Sequence, residues 1–357
     1  MNDAMSTTQD PHIDPAQLLF RAAGPADIDA FDRIANASAT GITTLPADRT
    51  ILLDKLERSA QAFASLDDSS GEEIYLFVVE DLVAGRVVGT SGIAASAGFA
   101  DRFYSYRNEM IVHASPALQA SNRIHTLHLC HDLTGYTLLT SFYIEPGYED
   151  TLAPQLLSRA RLLFIAEFAD RFSDRIAAES PGLSDENGRC PFWDAVGRRF
   201  FNMDYPQVER LTGGRSKGFI AELMPHSPIY VPLLPEAAQW AIGQLHPVGE
   251  LPFSILLDEG FDTETYVDIF DGGPTVDARV AMLKTVARSR RVGLDDSAVD
   301  HTAWQLVSNT LRDGFAAVLR RVDGGSLDAT INTTMRAHLG LHADSTLRVA
   351  ELDGAAA

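Results

Sequence analysis

The chain has 357 residues, 45% of them hydrophobic and 22% charged, enough to bury a large core and to suggest two domains, or one large one with an appendage. Its 49 acidic residues outnumber 29 basic ones, for a net charge of −20. Such a field repels nucleic acid and anionic membranes, and neither is an expected partner. Two cysteines, Cys130 and Cys190, make no framework of the secreted kind and fit a reducing cytoplasm.

Residues 1–17 lack the basic and apolar regions of a signal peptide and read as a disordered leader. No run reaches the ~18 apolar residues of a membrane span. From Leu18, LFRAAGPADIDAFDRIANAS predicts a strand and then a helix with Ile28, Phe31 and Ile34 at three-residue spacing. Pro46 and Asp48 punctuate the start of a second amphipathic helix. IYLFVVEDLVAGRVVGTSGIAASAG predicts a β-hairpin, because two runs rich in Val, Ile and Phe flank the turn residues Asp81 to Arg86. Further strands are expected at MIVHAS, TLHLCHDL and LLTSFYIEP, then a helix from about Gln155 to Phe172. SDENGRCPFW opens another helix, FIAELM and PIYVPLL follow, a helix is expected over 236–244, and FSILLDEGF leads to YVDIFDGGPT. A polar connector spans about 279–300, and the remainder reads as strands broken by Asp-Gly and Gly-Gly turns, with a short helix ending at Gly340. This succession predicts an α+β fold with a mixed sheet.

The stretch 138–164 has the strand, turn and helix layout that proteins use to hold a phosphate. Its turn, however, offers one glycine and two acids, Glu149 and Asp150, where a pyrophosphate loop wants glycines and a cation. His125, His128, Cys130 and His131 are close in sequence, but a strand sends His128 and Cys130 to one side and the other two to the opposite side. No metal site is expected from that spacing. Cys130 reads as a buried structural thiol. Cys190 stands near a helix N-cap with Pro191 at the first helical position, and Trp193, Phe200 and Phe201 read as core. GGP at 272–274 is too short for a phosphate loop and reads as a turn. His246 follows an apolar helix and precedes Pro247, which puts it at a helix C-terminus, where the dipole favours cations. A catalytic role and an ordinary surface histidine are both open there.

TGITTLPAD, YLFVVED, FYSYRNEMIVHAS, DLTG, SDENGRCPFW, FIAELMPHSPIYVPLLP, IGQLHP and YVDIFDGGPT, in this order and spacing, resemble the arginine N-succinyltransferase family over about residues 18–279. That family is related to the GNAT-type acyl-CoA N-acyltransferases. RNEMIVHAS, CHDLTGYTLLTSFY and MPHSPIYVPLLP are similar to its α-type chains, which work beside a homologous β-type subunit. The resemblance implies an α+β, GNAT-like fold of two GNAT-like halves, residues 18–180 and 181–285, with a small C-terminal β-rich module at 300–353.

It further implies transfer of succinyl from succinyl-CoA, a co-substrate, to the α-amine of L-arginine, without a permanently bound cofactor. A heteromer with a β subunit and a cytoplasmic place in arginine catabolism follow from the same likeness. His246 matches the histidine to which the family assigns the proton-donor role, and Phe142 falls where single-chain members have a leucine that contacts succinyl-CoA. An amine attacking a thioester must shed a proton, and the departing thiolate is helped by receiving one, which suits a histidine. In β-type and single-chain members the turn after this strand is basic and glycine-rich, whereas Glu149 and Asp150 here would repel a pyrophosphate. That departure supports an alternative, a non-catalytic scaffold whose β partner carries the chemistry; a relative acting on ornithine or a polyamine is a third. Glu109, Asp132, Glu222, Asp268 and Asp271 are the acids available to hold a guanidinium.

Overall fold

Strands rich in Val, Ile and Phe with both faces buried are the mark of a sheet covered on each side, and β2 and β3 have that character. In the computed structural model, which describes residues 13–37, 45–66, 69–212, 218, 222–295, 304–322, 327 and 331–352, the first half runs as follows. β1 (Leu18–Ala22) leads to α1 (Ile28–Ala37) and α2 (Arg49–Ala64), then the hairpin of β2 (Ile74–Asp81) and β3 (Arg86–Ala94). A long hairpin of β4 (Ser105–Ser115) and β5 (Ala120–Cys130) precedes β6 (Thr137–Ile144), α3 (Ala153–Glu167) and β7 (Arg175–Glu179). The second half carries short helices at Pro191–Ala195 and Tyr205–Thr212, β8 (Ile229–Tyr230), helices at Glu236–Ala241 and Glu250–Glu259, β9 (Asp262–Val267) and β10 (Pro274–Arg279). After the helix Lys284–Arg288 come β11 (Arg290–Gly293), β12 (Trp304–Asn309), β13 (Ala316–Arg321), the helix Thr333–His338 and β14 (Thr346–Leu352).

These strands form one 14-stranded mixed sheet in the order β11-β14-β12-β13-β1-β2-β3-β6-β7-β10-β9-β4-β5-β8. The C-terminal strands enter it through β13, which pairs with β1 from Leu19 opposite Val318 to Arg21 opposite Ala316. The two central strands β6 and β7 run parallel and pair only at Thr137 with Ile176, Leu138 with Ala177 and Leu139 with Ala178. Beyond that point β6 continues to Ile144 while β7 ends at Glu179, so the sheet splits there.

Across the sheet lies α3, buried nearly all round. Its Phe164 sits in an aromatic cluster with Phe63, Tyr75, Phe77 and Phe315, at centroid separations of 4.9 to 5.6 Å. The cluster joins residues from both ends of the chain, and truncating one such ring costs ~3–5 kcal/mol. A helix this deeply buried must supply partners for its charges. Arg159 pairs with Asp258 at 2.5 Å and Glu259 at 2.6 Å, and Glu167 with Arg291 at 2.5 Å and Arg348 at 2.8 Å.

Local chemistry accounts for the boundaries. Asp48 caps α2 by accepting from the N–H groups of Thr50 and Ile51, and Phe31 and Ile34 of α1 are fully buried as their spacing requires. The helix expected to reach Phe172 stops at Glu167, followed by a 3-10 turn over Ala169–Arg171. The helix expected over 236–244 stops at Ala241, because Gly243 adopts φ 72° and donates its N–H to the Gly272 carbonyl at 2.8 Å. The polar connector holds a helix and the edge strand β11. Of the leader, residues 1–12 lie outside the described residues, as do residues 219–221 of FIAELM; Pro15–Gln17 form a 3-10 turn capped by Asp14.

Candidate active site

The split between β6 and β7 opens a cleft walled by residues 138–142 on one side and 178–181 on the other, with Arg161 of α3 at its back. The register between β3 and β6 is irregular, with Gly92 opposite Thr140 but Thr90 opposite Tyr143. Ser141, inside this bulge, has φ 56°. A non-glycine residue in that region costs ~1–3 kcal/mol and persists where the surroundings enforce it, often at a functional site. Here the Thr90 hydroxyl donates to the Ser141 carbonyl at 3.1 Å. Phe142, the next residue, lines the cleft and also a second recess bounded by Tyr143, Glu149, Asp150, Pro247 and Leu251. The two recesses share Phe142, Val248 and Pro252 as walls, so they lie side by side and are taken together as one groove.

The wall opposite β6 is acid-rich and carries Glu179, Glu209, Asp268 and Asp271, beside Tyr205. Asp271 is the organiser of this wall. Its carboxylate accepts from the N–H of Gly182 at 2.7 Å, the N–H of Gly273 at 2.8 Å and the Tyr205 hydroxyl at 3.2 Å. Burial, with the charge of Asp271, pushes the Tyr205 phenol well above its ordinary range. The backbone segments approach so closely that a Cβ on Gly182 would stand 2.6 Å from the Asp271 carbonyl oxygen, and one on Gly273 2.3 Å from that of Ser180. GGP is thus a turn whose glycines permit contact between two backbones.

His246 is half-buried, and its position differs from the sequence expectation. It lies at the start of the next element, capping the 3-10 turn Pro247–Gly249 that runs into the helix Glu250–Glu259. Its Nδ1 accepts from the Val248 N–H at 3.3 Å, and its backbone N–H donates to the Pro181 carbonyl at 2.9 Å. The expected C-terminal dipole is therefore replaced by the donor end of a helix. The two residues after it, Pro247 and Val248, line the groove together with Phe142, so the structure brings the surroundings of both residues to one place.

The turn between β6 and α3 places Glu149 and Asp150 on the exposed wall of the groove. It is pinned by the Tyr148 hydroxyl, which donates to Asp81 at 2.7 Å, and by buried Glu145, which pairs with Arg33 and, at 2.5 Å, Arg86. Two cations thus stand near the turn, both tied to Glu145.

Other candidates are drawn elsewhere. Glu109 and Asp132 pair with Arg107, Asp132 at 2.7 Å, on the β4–β5 hairpin. Glu222 is exposed, which leaves Asp268 and Asp271 as the members of that acid set in the cleft. His125 contacts Asn108, and His128 contacts the Thr126 hydroxyl at 3.1 Å. Cys190 is the N-cap of Pro191–Ala195, its Sγ accepting from the Trp193 N–H at 3.4 Å, and burial pushes both cysteine thiols up. Trp193 is core as expected, whereas Phe200 is exposed. Sequence reasoning missed Ser141, Tyr205 and Arg161. Of these Arg161 left a signal, a charge inside the apolar run LLSRARLLFIA.

A profile of the protein family described as arginine N-succinyltransferase beta subunit matches residues 18–285. The chain is 48% identical over 307 residues to arginine N-succinyltransferase subunit alpha of Pseudomonas aeruginosa, covering 86% of this chain and 91% of that one. It is 39% identical over 338 residues to subunit beta of the same organism, covering 94% and 98%. The arginine N-succinyltransferase of Shigella sonnei is 35% identical over 337 residues, with coverage of 94% and 98%. The solved structure of arginine/ornithine succinyltransferase subunit AI from Pseudomonas aeruginosa is similar with a TM-score of 0.84 at 42% identity, covering 94% of this chain and 99% of that one.

Proposed function

Since the chain belongs to the arginine N-succinyltransferase family, a family of acyltransferases, we propose that it transfers succinyl from succinyl-CoA to the α-amine of L-arginine. The observation that carries this reading is the split sheet: a groove runs along the strained bulge of β6 to an acid-rich wall. We take the split pair β6 and β7 as the GNAT-like feature of the fold. The acyl-CoA arm lies along β6 with its thioester beside Phe142, and the acid-rich wall suits a cationic amino acid.

In this reading the neutral α-amine attacks the thioester carbonyl carbon. The new C–N bond forms as the carbonyl electron pair moves to oxygen, and collapse of that intermediate breaks the C–S bond. The amine loses a proton and the sulfur gains one, which is the service a histidine supplies. Because the Nδ1 of His246 accepts from the Val248 N–H, Nε2 is the atom left to carry that proton.

Relatives of both α and β type support a heteromer in which this chain is the α partner. Glu149 and Asp150 support a second reading, in which the β partner binds CoA and performs the chemistry. A panel of L-arginine, L-ornithine and a polyamine, offered with succinyl-CoA to the chain alone and to its mixture with a β-type subunit, tests the proposal. Arginine is expected to be the preferred acceptor, with a product gaining one succinyl group; preference for another amine would reject arginine as the substrate.

A further inference from the structure

Arg161 is 2% exposed, yet among the described residues its guanidinium meets only neutral acceptors at long range: the Ser158 carbonyl at 3.3 Å, the Gly92 carbonyl at 3.4 Å and the Ser158 hydroxyl at 3.2 Å. It also faces the Phe142 ring at 5.7 Å from the centroid. Arg159, two residues earlier in the same helix, is met by two carboxylates. Among the described residues none of the ion pairs includes Arg161, in a chain with an excess of acids. A buried charge without a counterion is strongly unfavourable, and a site that retains one at the back of a cleft is built for a ligand that brings the opposite charge. Burial pulls this guanidinium down to about 9, which leaves it cationic at neutral pH.

We propose that Arg161 determines acyl specificity, holding the distal carboxylate of the succinyl group in the split between β6 and β7. The inference rests on the succinyl-CoA reading of the cleft and adds the residue that selects a dicarboxylic acyl group over a neutral one. A guanidinium fork matches a carboxylate through two parallel N–H donors. Phe142 covers the same guanidinium and the acyl methylenes, and its exclusion of water strengthens the pair. The two ends of the cleft thereby have opposite character, a cation at the back for the acyl carboxylate and an acid-rich wall for the amine substrate. An acyl chain ending in a methyl group would leave the cation buried and unpaired, and a polar site rejects such an analogue far more strongly than an apolar pocket rejects a missing methylene.

The test is calorimetric binding of succinyl-CoA and butyryl-CoA to the full chain with its β-type partner, for wild type, Arg161→Met and Arg161→Lys. Wild type is expected to prefer succinyl-CoA by about 100-fold or more, following the strength of buried charge-assisted pairs. Arg161→Met should abolish that preference by weakening succinyl-CoA while leaving butyryl-CoA within a few-fold, and Arg161→Lys should fall between. A methionine variant that keeps the preference, or that weakens both ligands alike, would overturn the proposal, as would a wild type indifferent to the carboxylate. If Arg161→Met fails to fold by circular dichroism, the lysine variant and the wild-type preference decide. A preference lost in Arg161→Met without any arginine succinylation by wild type would keep the carboxylate pocket and reject the acceptor. Succinylation by Arg161→Met with a wild-type KM would reject the pocket and keep the reaction.

Discussion

In the proposed function, Glu149 and Asp150 are the residue pair that bears most directly on acyl-CoA binding. Both are exposed on the groove that leads to Phe142, where the pyrophosphate of an acyl-CoA would pass. Like charges there repel across water, an effect that salt screens over about 8 Å at physiological ionic strength. The double change Glu149→Gln with Asp150→Asn is expected to lower KM for succinyl-CoA roughly 3- to 10-fold at low salt, with the gain shrinking as salt is added. Steady-state kinetics at two salt concentrations measures this, and an unchanged or higher KM would mean that the pyrophosphate lies away from the turn. This residue pair was legible from the sequence, because a turn between strand and helix is a local feature. The setting of His246 was not, since Gly243 ends the preceding helix through a bond to Gly272 in a distant loop. Arg161 was visible as a charge in an apolar run, but that no carboxylate among the described residues pairs with it depends on what the fold brings around it.

At the scale of elements, α3 links the core to the cleft. It buries Phe164 among rings from β2, α2 and the segment before β13, and it presents Arg161 to the cleft between β6 and β7. Its register is fixed by Arg159, whose partner Glu259 is fully buried and also accepts from the N–H and hydroxyl of Thr285 at 2.8 and 2.7 Å. Glu259→Ala would leave Arg159 with Gln155 and, as its one carboxylate among the described residues, the half-exposed Asp258, and breaking a buried pair from one side costs about 3–5 kcal/mol. Urea unfolding should show that loss as a lower midpoint at constant slope; a midpoint within error of wild type would contradict the packing role assigned to the pair. The β2–β3 hairpin, the Asp48 cap and the Cys190 cap were all readable in advance, since each is decided by neighbours in sequence. The bulge at Ser141 was not, because it arises from the register between β3 and β6.

For the whole molecule, the sheet unites segments that the sequence presents as separate. β1 pairs with both β2 and β13, so the N-terminal strand is held between its own hairpin and the C-terminal strands. Phe315, Leu306 and Leu319 belong to the same core as Phe20 and Phe77. Removing residues 286–357 would strip one edge of β1 and expose that core, and an exposed apolar edge invites aggregation. The truncated chain is expected to be insoluble or to show no cooperative melt, whereas a soluble product with a native-like transition would mean that the C-terminal strands are dispensable for folding. The mixed α/β character was legible from the order of strands and helices. The pairing of strands from opposite ends of the chain was not, because it depends on long-range packing instead of local pattern.

The most direct measurement is succinyl-CoA-dependent thiol release with L-arginine, for this chain mixed with a β-type subunit, comparing wild type with His246→Ala. Loss of one proton-transfer group should lower kcat by about 10²- to 10⁴-fold with little change in KM. Turnover that is unaltered by the His246 change would contradict a catalytic role for this chain and assign the chemistry to its partner.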